Sequence, residues 1–138
     1  MNIQEIEFRE NSDLPPEQVI YLYSQCGWSS AKKPEKLLFA LSNSEIVISA
    51  WYKDILVGLG NAISDGALVV YYPHLLVLPA YQRCGIGREI IHRLKQKYSY
   101  FHQQILLSVD NATSFYEKVG FRLADNVKPM WIYDNFDI

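Results

Sequence analysis

The residues best placed for chemistry are Gln82-Arg83-Cys84-Gly85-Ile86-Gly87-Arg88, a glycine-spaced loop between an apolar run and an amphipathic one. The run before it reads as a strand, and Pro79 ends that strand because proline offers no N–H to a ladder. The loop then leaves several consecutive backbone N–H groups unpaired at the start of a helix, and its glycines let a ligand approach the backbone closely. Such N–H groups, with a helix dipole of roughly half a positive charge, form an anion site whose usual occupant is phosphate. Glycine pairs also mark ordinary turns, so the loop alone leaves both readings open. Two other phosphate patterns are missing. Residue 90 is Ile where G-x-G-x-x-G needs glycine, and G-x-x-x-x-G-K-[ST] does not occur.

The full string is more specific than its glycines. An apolar strand, Val77-Leu78-Pro79 as V-x-P, Q-R-x-G-x-G and an amphipathic helix together resemble motif A of the GNAT superfamily of acyl-CoA-dependent N-acyltransferases. Further on, Asp110-Asn111-Ala112-Thr113-Ser114-Phe115-Tyr116-Glu117-Lys118-Val119-Gly120-Phe121 resembles motif B of the same family, with F-Y-E-K-V-G-F matching without gaps. The resemblance covers the chain from about residue 45 to its end.

That resemblance implies transfer of an acetyl group from acetyl-CoA, as cosubstrate and without a metal, to a primary amine by direct attack in a ternary complex. The N–H groups from Arg83 through Cys84, Gly85, Ile86 and Gly87 to Arg88 would hold the pyrophosphate, with Gln82 beside them in the cofactor site. Backbone at Leu76, Val77 and Leu78 would pair with the pantetheine amides as an added strand does. An N–H from Leu76 or Val77 would stabilise the oxyanion of a tetrahedral intermediate. Asn111 matches the family's pantetheine-binding Asn, with a plain helix N-cap as the alternative. Phe115 flanks the arm by packing, and Lys118 is a surface charge or part of the phosphate rim.

Tyr116 matches the family's proton donor, and a phenol near the sulfur can protonate the departing thiolate. It also lies on an apolar face with Ala112 and Phe115, so a core tyrosine is the plainer alternative. A lysine-like amine with a pKa near ~10.4 must lose a proton before it attacks. Many relatives carry acidic residues before L-x-V-x-P, whereas this chain has Tyr72-Pro73-His74 there. His74 titrates in a suitable range and Tyr71 could line a water wire. Alternation along an unbroken strand puts those two on opposite faces, and a lone strand histidine is more often packing. Cys84 occupies a slot that takes varied residues in the motif, which argues against a covalent role. Trp28 and Trp51 are candidates for an aromatic acceptor wall, or simply core residues. The missing strand carboxylate keeps a non-catalytic CoA-binding sensor or scaffold in view. A protein-lysine acetyltransferase and an interaction domain unrelated to CoA are further alternatives.

The elements that must position these residues follow from periodicity. Ile6 and Phe8 alternate with charged residues in a first strand. Ser12-Asp13 before Pro15-Pro16 starts a helix to Cys26, and Pro34 starts a second one around Leu37, Leu38 and Leu41. Residues 45–52 and 55–63 form a hairpin around Lys53-Asp54, and Asp65-Gly66 turns the chain into a central strand over 67–78. A helix follows to about Tyr98, then a strand over 104–109, the motif B helix, and two last strands at 121–123 and 130–133. The resulting fold class is α/β: a GNAT-like mixed sheet, mostly antiparallel, splayed between its fourth and fifth strands, with helices on both faces.

The 138 residues fit a single domain over 1–138, and 49% hydrophobic with 20% charged residues is a folded composition. A net charge of −2 argues against non-specific nucleic-acid binding. Two cysteines at unrelated spacing build neither a disulfide framework nor a zinc site, which suits the cytoplasm. The N-terminus lacks a signal-peptide pattern, and no apolar run approaches the ~18 residues of a membrane span. The partners expected are a small-molecule amine and, through the apolar C-terminal strands, a second copy in a homodimer.

Overall fold

The computed structural model describes residues 2–10, 13–135 and 137; Ser12, part of the expected first helix start, lies outside the described residues. Strand β1 (Ile6–Glu10) buries Ile6 and exposes Glu7. Helix α1 (Pro16–Gln25) has proline in its first turn, where the missing N–H is harmless, and buries Val19, Leu22 and Tyr23. Helix α2 (Pro34–Ser42) starts the same way and buries Leu37 and Leu41. Strands β2 (Ile46–Tyr52) and β3 (Ile55–Ser64) form the hairpin, with Lys53 at φ 54° in its turn. Gln18 of α1 clamps that hairpin. Its Nε2 donates to the Asp54 carbonyl at 3.1 Å, and its Oε1 accepts from the Leu56 N–H at 2.7 Å.

β3 is the centre of the sheet, buried without interruption from Leu56 to Ala62, so both its faces are covered. Gly58 and Gly60 make room on one face for α3 (Ile86–Lys97). A Cβ on Gly60 would lie 2.8 Å from Ile90 Cγ2 and 3.2 Å from Leu94 Cδ1. The alternate residues Val57, Leu59 and Asn61 face the other way, toward α1.

The expected central strand is two strands. β4 (Val69–Tyr71) and β5 (Leu75–Val77) both pair antiparallel with β3, but in different registers. Val70 faces Ser64 and Leu75 faces Gly60, so five steps along one chain oppose four along the other. One extra residue is a β-bulge, and it falls at Tyr72-Pro73-His74, where proline has no N–H for the ladder. Buried Asn61 stitches it. The Asn61 N–H donates to the His74 carbonyl at 3.2 Å, Asn61 Oδ1 accepts from the His74 N–H at 3.0 Å, and Asn61 Nδ2 donates to Ser44 Oγ at 2.9 Å. The bulge corrects the alternation expected for this stretch. Tyr71 pairs with Ile63 and His74 sits opposite Asn61, so both point to the same face of β3.

β6 (Gln103–Ile105) runs parallel to β4, and the Tyr72 N–H donates to the Ile105 carbonyl at 3.0 Å. Beyond that bond residues 106–109 continue as irregular chain, and β5 pairs only with β3, so the sheet splays here. The sheet order is β1-β2-β3-β4-β6, with β5 as a second partner of β3. The expected strand over 104–109 therefore ends early. Helix α4 (Thr113–Lys118) is followed by Gly120 at φ 104°.

Residues 121–123 and 130–133 form no strands. Their apolar pattern suits a sheet, but a strand needs a neighbour to share its ladder, and Pro129 interrupts the run. Met130 and Ile132 are exposed, and the segment returns instead to the end of α1, where Tyr133 and Ser29 hydroxyls lie 3.2 Å apart.

Candidate active site

The glycine-spaced loop has the backbone that its sequence demands. Pro79–Tyr81 makes a short 3-10 turn, Gln82 Nε2 donates back to the Val77 carbonyl at 2.9 Å, and Arg83 (φ 67°) and Gly85 (φ 97°) both take left-handed conformations. The first helical bond of α3 runs from the Glu89 N–H to the Gly85 carbonyl at 3.0 Å. Six consecutive N–H groups, Arg83 to Arg88, precede it without a backbone partner among the described residues. The exposed side chains of Arg83 and Arg88 flank them. This is a concave row of donors with positive charge beside it, suited to a di-anion. Cys84 is turned inward, its thiol donating to the Tyr81 carbonyl at 3.0 Å.

The row continues onto the open edge of β5. Leu78 donates to the Val57 carbonyl at 2.8 Å, and the Asn61 N–H donates to the His74 carbonyl. Antiparallel alternation then makes Leu59 and Leu76 a hydrogen-bonded pair and turns the N–H groups of Leu75 and Val77 away from β3. Of the three residues expected to offer free N–H groups, Leu76 and Leu78 are therefore committed to the ladder. Val77 and the unforeseen Leu75 face the splay. A side-chain carbon added at Gly87 would meet Phe115 Cζ at 3.7 Å and Val77 Cγ2 at 3.8 Å, so loop, open strand and α4 converge at one point.

Past that point lies a cavity of about 310 Å³. Gly27 and Trp28 line it from the end of α1, Pro73 and Leu75 from the bulge, Leu107 and Val109 from the diverging segment, and Ala112 and Tyr116 from the motif B region. Tyr116 stacks edge-on against Phe115 and Phe121, with ring centroids 5.1 Å and 6.0 Å away. Burial raises its pKa, keeping the phenol protonated, and its hydroxyl has no protein partner among the described residues.

His74 is not on the lining. Its Nδ1 shares a 2.7 Å hydrogen bond with the Tyr23 hydroxyl, and Trp28 stacks edge-on at 5.0 Å. Burial pushes its pKa down to about 4, so the ring is neutral at physiological pH. Tyr71 is half-buried and also off the lining. Trp51 is not an acceptor wall. It is buried in β2, with Nε1 donating to Ser49 Oγ at 2.9 Å and the Arg9 guanidinium 4.4 Å above its ring. Asn111 does not cap α4, whose N-cap residue is Ala112; its side chain is exposed, as is that of Lys118. Among the described residues no group of His, Cys, Asp and Glu is arranged to hold a metal ion.

Sequence reasoning missed Asp137. It lines the cavity, accepts from the Ser29 N–H at 3.1 Å, and accepts a second, short hydrogen bond from the Tyr133 hydroxyl. The bonds from Ser29 and Tyr133 hold its carboxyl down at about 2. No spacing in the sequence links residue 137 to Ser29; only the return of the chain does.

A splayed mixed sheet thus carries a donor-rich loop at one end of its open strand and a cavity at the other. Residues 12–129 match the acetyltransferase (GNAT) domain family, and the chain belongs to that family. It is 30% identical to the uncharacterised N-acetyltransferase ycf52 of Pyropia yezoensis over 96% of this chain and 80% of that one. A solved GNAT-family acetyltransferase of Streptococcus pneumoniae superposes with a TM-score of 0.82 at 30% identity, covering 94% of this chain and 99% of that one. An aminoglycoside N-acetyltransferase in complex with CoA shares the fold at a TM-score of 0.70 and 13% identity, covering 91% of this chain and 93% of that one.

Proposed function

We propose that this chain is an N-acetyltransferase that moves an acetyl group from acetyl-CoA to the primary amine of a small molecule. The observation that carries the reading is the run of six N–H groups from Arg83 to Arg88 with no backbone partner among the described residues, together with the outward N–H of Val77 and the cavity that Tyr116 lines. The residues fit the cofactor. The donor row and its two arginines suit a pyrophosphate, and the open edge of β5 suits amides that pair as a strand would. CoA bound to a protein of the same fold supports this assignment.

The bound thioester supplies an activated acetyl group, and the chain's residues organise its transfer. The amine lone pair attacks the carbonyl carbon, the C–S bond breaks, and the sulfur leaves with the bonding pair. The Val77 N–H would be the donor for the carbonyl oxygen, and Tyr116 would give its proton to the sulfur and regain one from solvent. The amine's own proton leaves to solvent. His74 acts in this reading as a positioning group, because its ring is neutral and held by Tyr23. Asn111 and Lys118, both exposed, are assigned in this reading to the rim of the cofactor slot. Two free thiols suit a reducing compartment, and we place the reaction in the cytoplasm. Among the described residues no helix is long and apolar enough to cross a membrane. A second copy of the chain is the partner that exposed Met130 and Ile132 would suit, which sedimentation at increasing concentration tests.

The test is a screen of primary amines with acetyl-CoA, read by mass spectrometry of the products. The reading predicts an acetylated amine and one CoA released per transfer. CoA binding with no acetylation of any amine would favour the sensor or scaffold reading, which the neutral, engaged His74 keeps in contention.

A further inference from the structure

Among the described residues that line the cavity, Asp137 is the one with a charged side chain; the others are apolar, aromatic or thiol side chains and glycine. Asp137 is half-buried at the mouth of the cavity, and two donors hold its carboxylate there. The Ser29 N–H takes Oδ2 and the Tyr133 hydroxyl takes Oδ1. A carboxylate has about four lone-pair sites, so these bonds fix its position and leave acceptor capacity open. The Ser29 and Tyr133 hydroxyls are themselves 3.2 Å apart, which closes a small ring of contacts around the acid. The ring sits beside Trp28, whose indole gives the cavity an aromatic side.

We propose that Asp137 is the specificity-determining residue for the acceptor, an anionic anchor through which the cavity selects amines in their protonated form, with an apolar or aromatic body lying toward Trp28. The proposal rests on the acetyltransferase reading above. It narrows the substrate class to cationic amines without a carboxylate next to the nitrogen, since a second anion would meet Asp137 with like charge. Asp137 is a binding group and not the general base. The two donors that fix it also make it a weak proton acceptor. The ammonium is held in place by the acid and gives up its proton to water.

The experiment uses the full chain saturated with CoA and two probes of the same shape, phenethylamine, which is protonated at neutral pH, and 2-phenylethanol, which is neutral. Titration with CoA alone comes first and reports on the acetyltransferase reading, independently of Asp137. Calorimetry of each probe is then compared between the natural chain and Asp137→Asn, whose amide oxygen still accepts from the Ser29 N–H. The expected result is at least a tenfold preference for the amine in the natural chain, lost in Asp137→Asn with alcohol and CoA affinities unchanged. No preference for the amine in the natural chain would overturn the proposal, as would a preference that survives the substitution. Equal loss of both probes would show that Asp137 only holds the C-terminal segment in place, which also overturns it.

Discussion

Asn61 and His74 hold each other by reciprocal bonds, one N–H to a carbonyl at 3.2 Å and the other N–H to a side-chain oxygen at 3.0 Å. That pairing fixes the bulge, and the bulge separates β4, which pairs with β6, from β5, which does not. The opening of the slot is thus a local event with a named cause. Asn61→Leu would leave the part-buried His74 N–H without its acceptor, while the Ser44 hydroxyl keeps the Ala40 carbonyl. It should destabilise the fold by about 2 kcal/mol, read as a lower urea midpoint.

Gly60 tests how closely α3 must approach. The added carbon of Gly60→Ala would meet Ile90 Cγ2 at 2.8 Å and the His74 carbonyl at 3.3 Å. A β-branched methyl and a backbone oxygen have little room to move, so a loss of about 1–3 kcal/mol is expected in the same denaturation experiment.

Much of this architecture is legible in the residues themselves. The prolines at 16 and 34, the turns at Lys53-Asp54 and Asp65-Gly66, and the left-handed Gly85 each state a local backbone requirement. Other features depend on partners distant in the chain. Nothing within 67–78 except Pro73 signals a bulge, because its cause is Asn61 on another strand. The apolar residues at 121–123 and 130–133 resemble strands, but a strand exists only where another supplies its ladder. Trp51 lies on β2 in the core and Trp28 in the loop after α1 on the cavity, a difference that residue type alone does not signal. Asp137 reaches the site by a chain return that no motif records.

His74 makes stability depend on pH. Its folded pKa is pushed down to about 4 from 6.5, so the unfolded chain binds more protons between those values. Stability from this group is fully present above about 6.5 and is lost as pH falls toward 4, by about 2–3 kcal/mol. Urea midpoints across that range should fall with pH, and His74→Gln should flatten the slope. A slope that persists unchanged would assign the dependence to other groups.

Tyr116→Phe removes the hydroxyl and keeps the ring that stacks on Phe115 and Phe121. Turnover of an accepted amine should fall by about 10²–10⁴, while acetyl-CoA affinity stays within about twofold. Unchanged turnover would remove Tyr116 as the acid.

The account stands or falls on the donor row between Arg83 and Arg88. Calorimetric titration of the natural chain and of Arg83→Glu with acetyl-CoA and with CoA tests it most directly. The account predicts dissociation constants on the order of micromolar for the natural chain, weakened about a hundredfold or more when the loop's charge is reversed. Absence of binding at millimolar ligand, or equal binding by the Arg83→Glu chain, would contradict it.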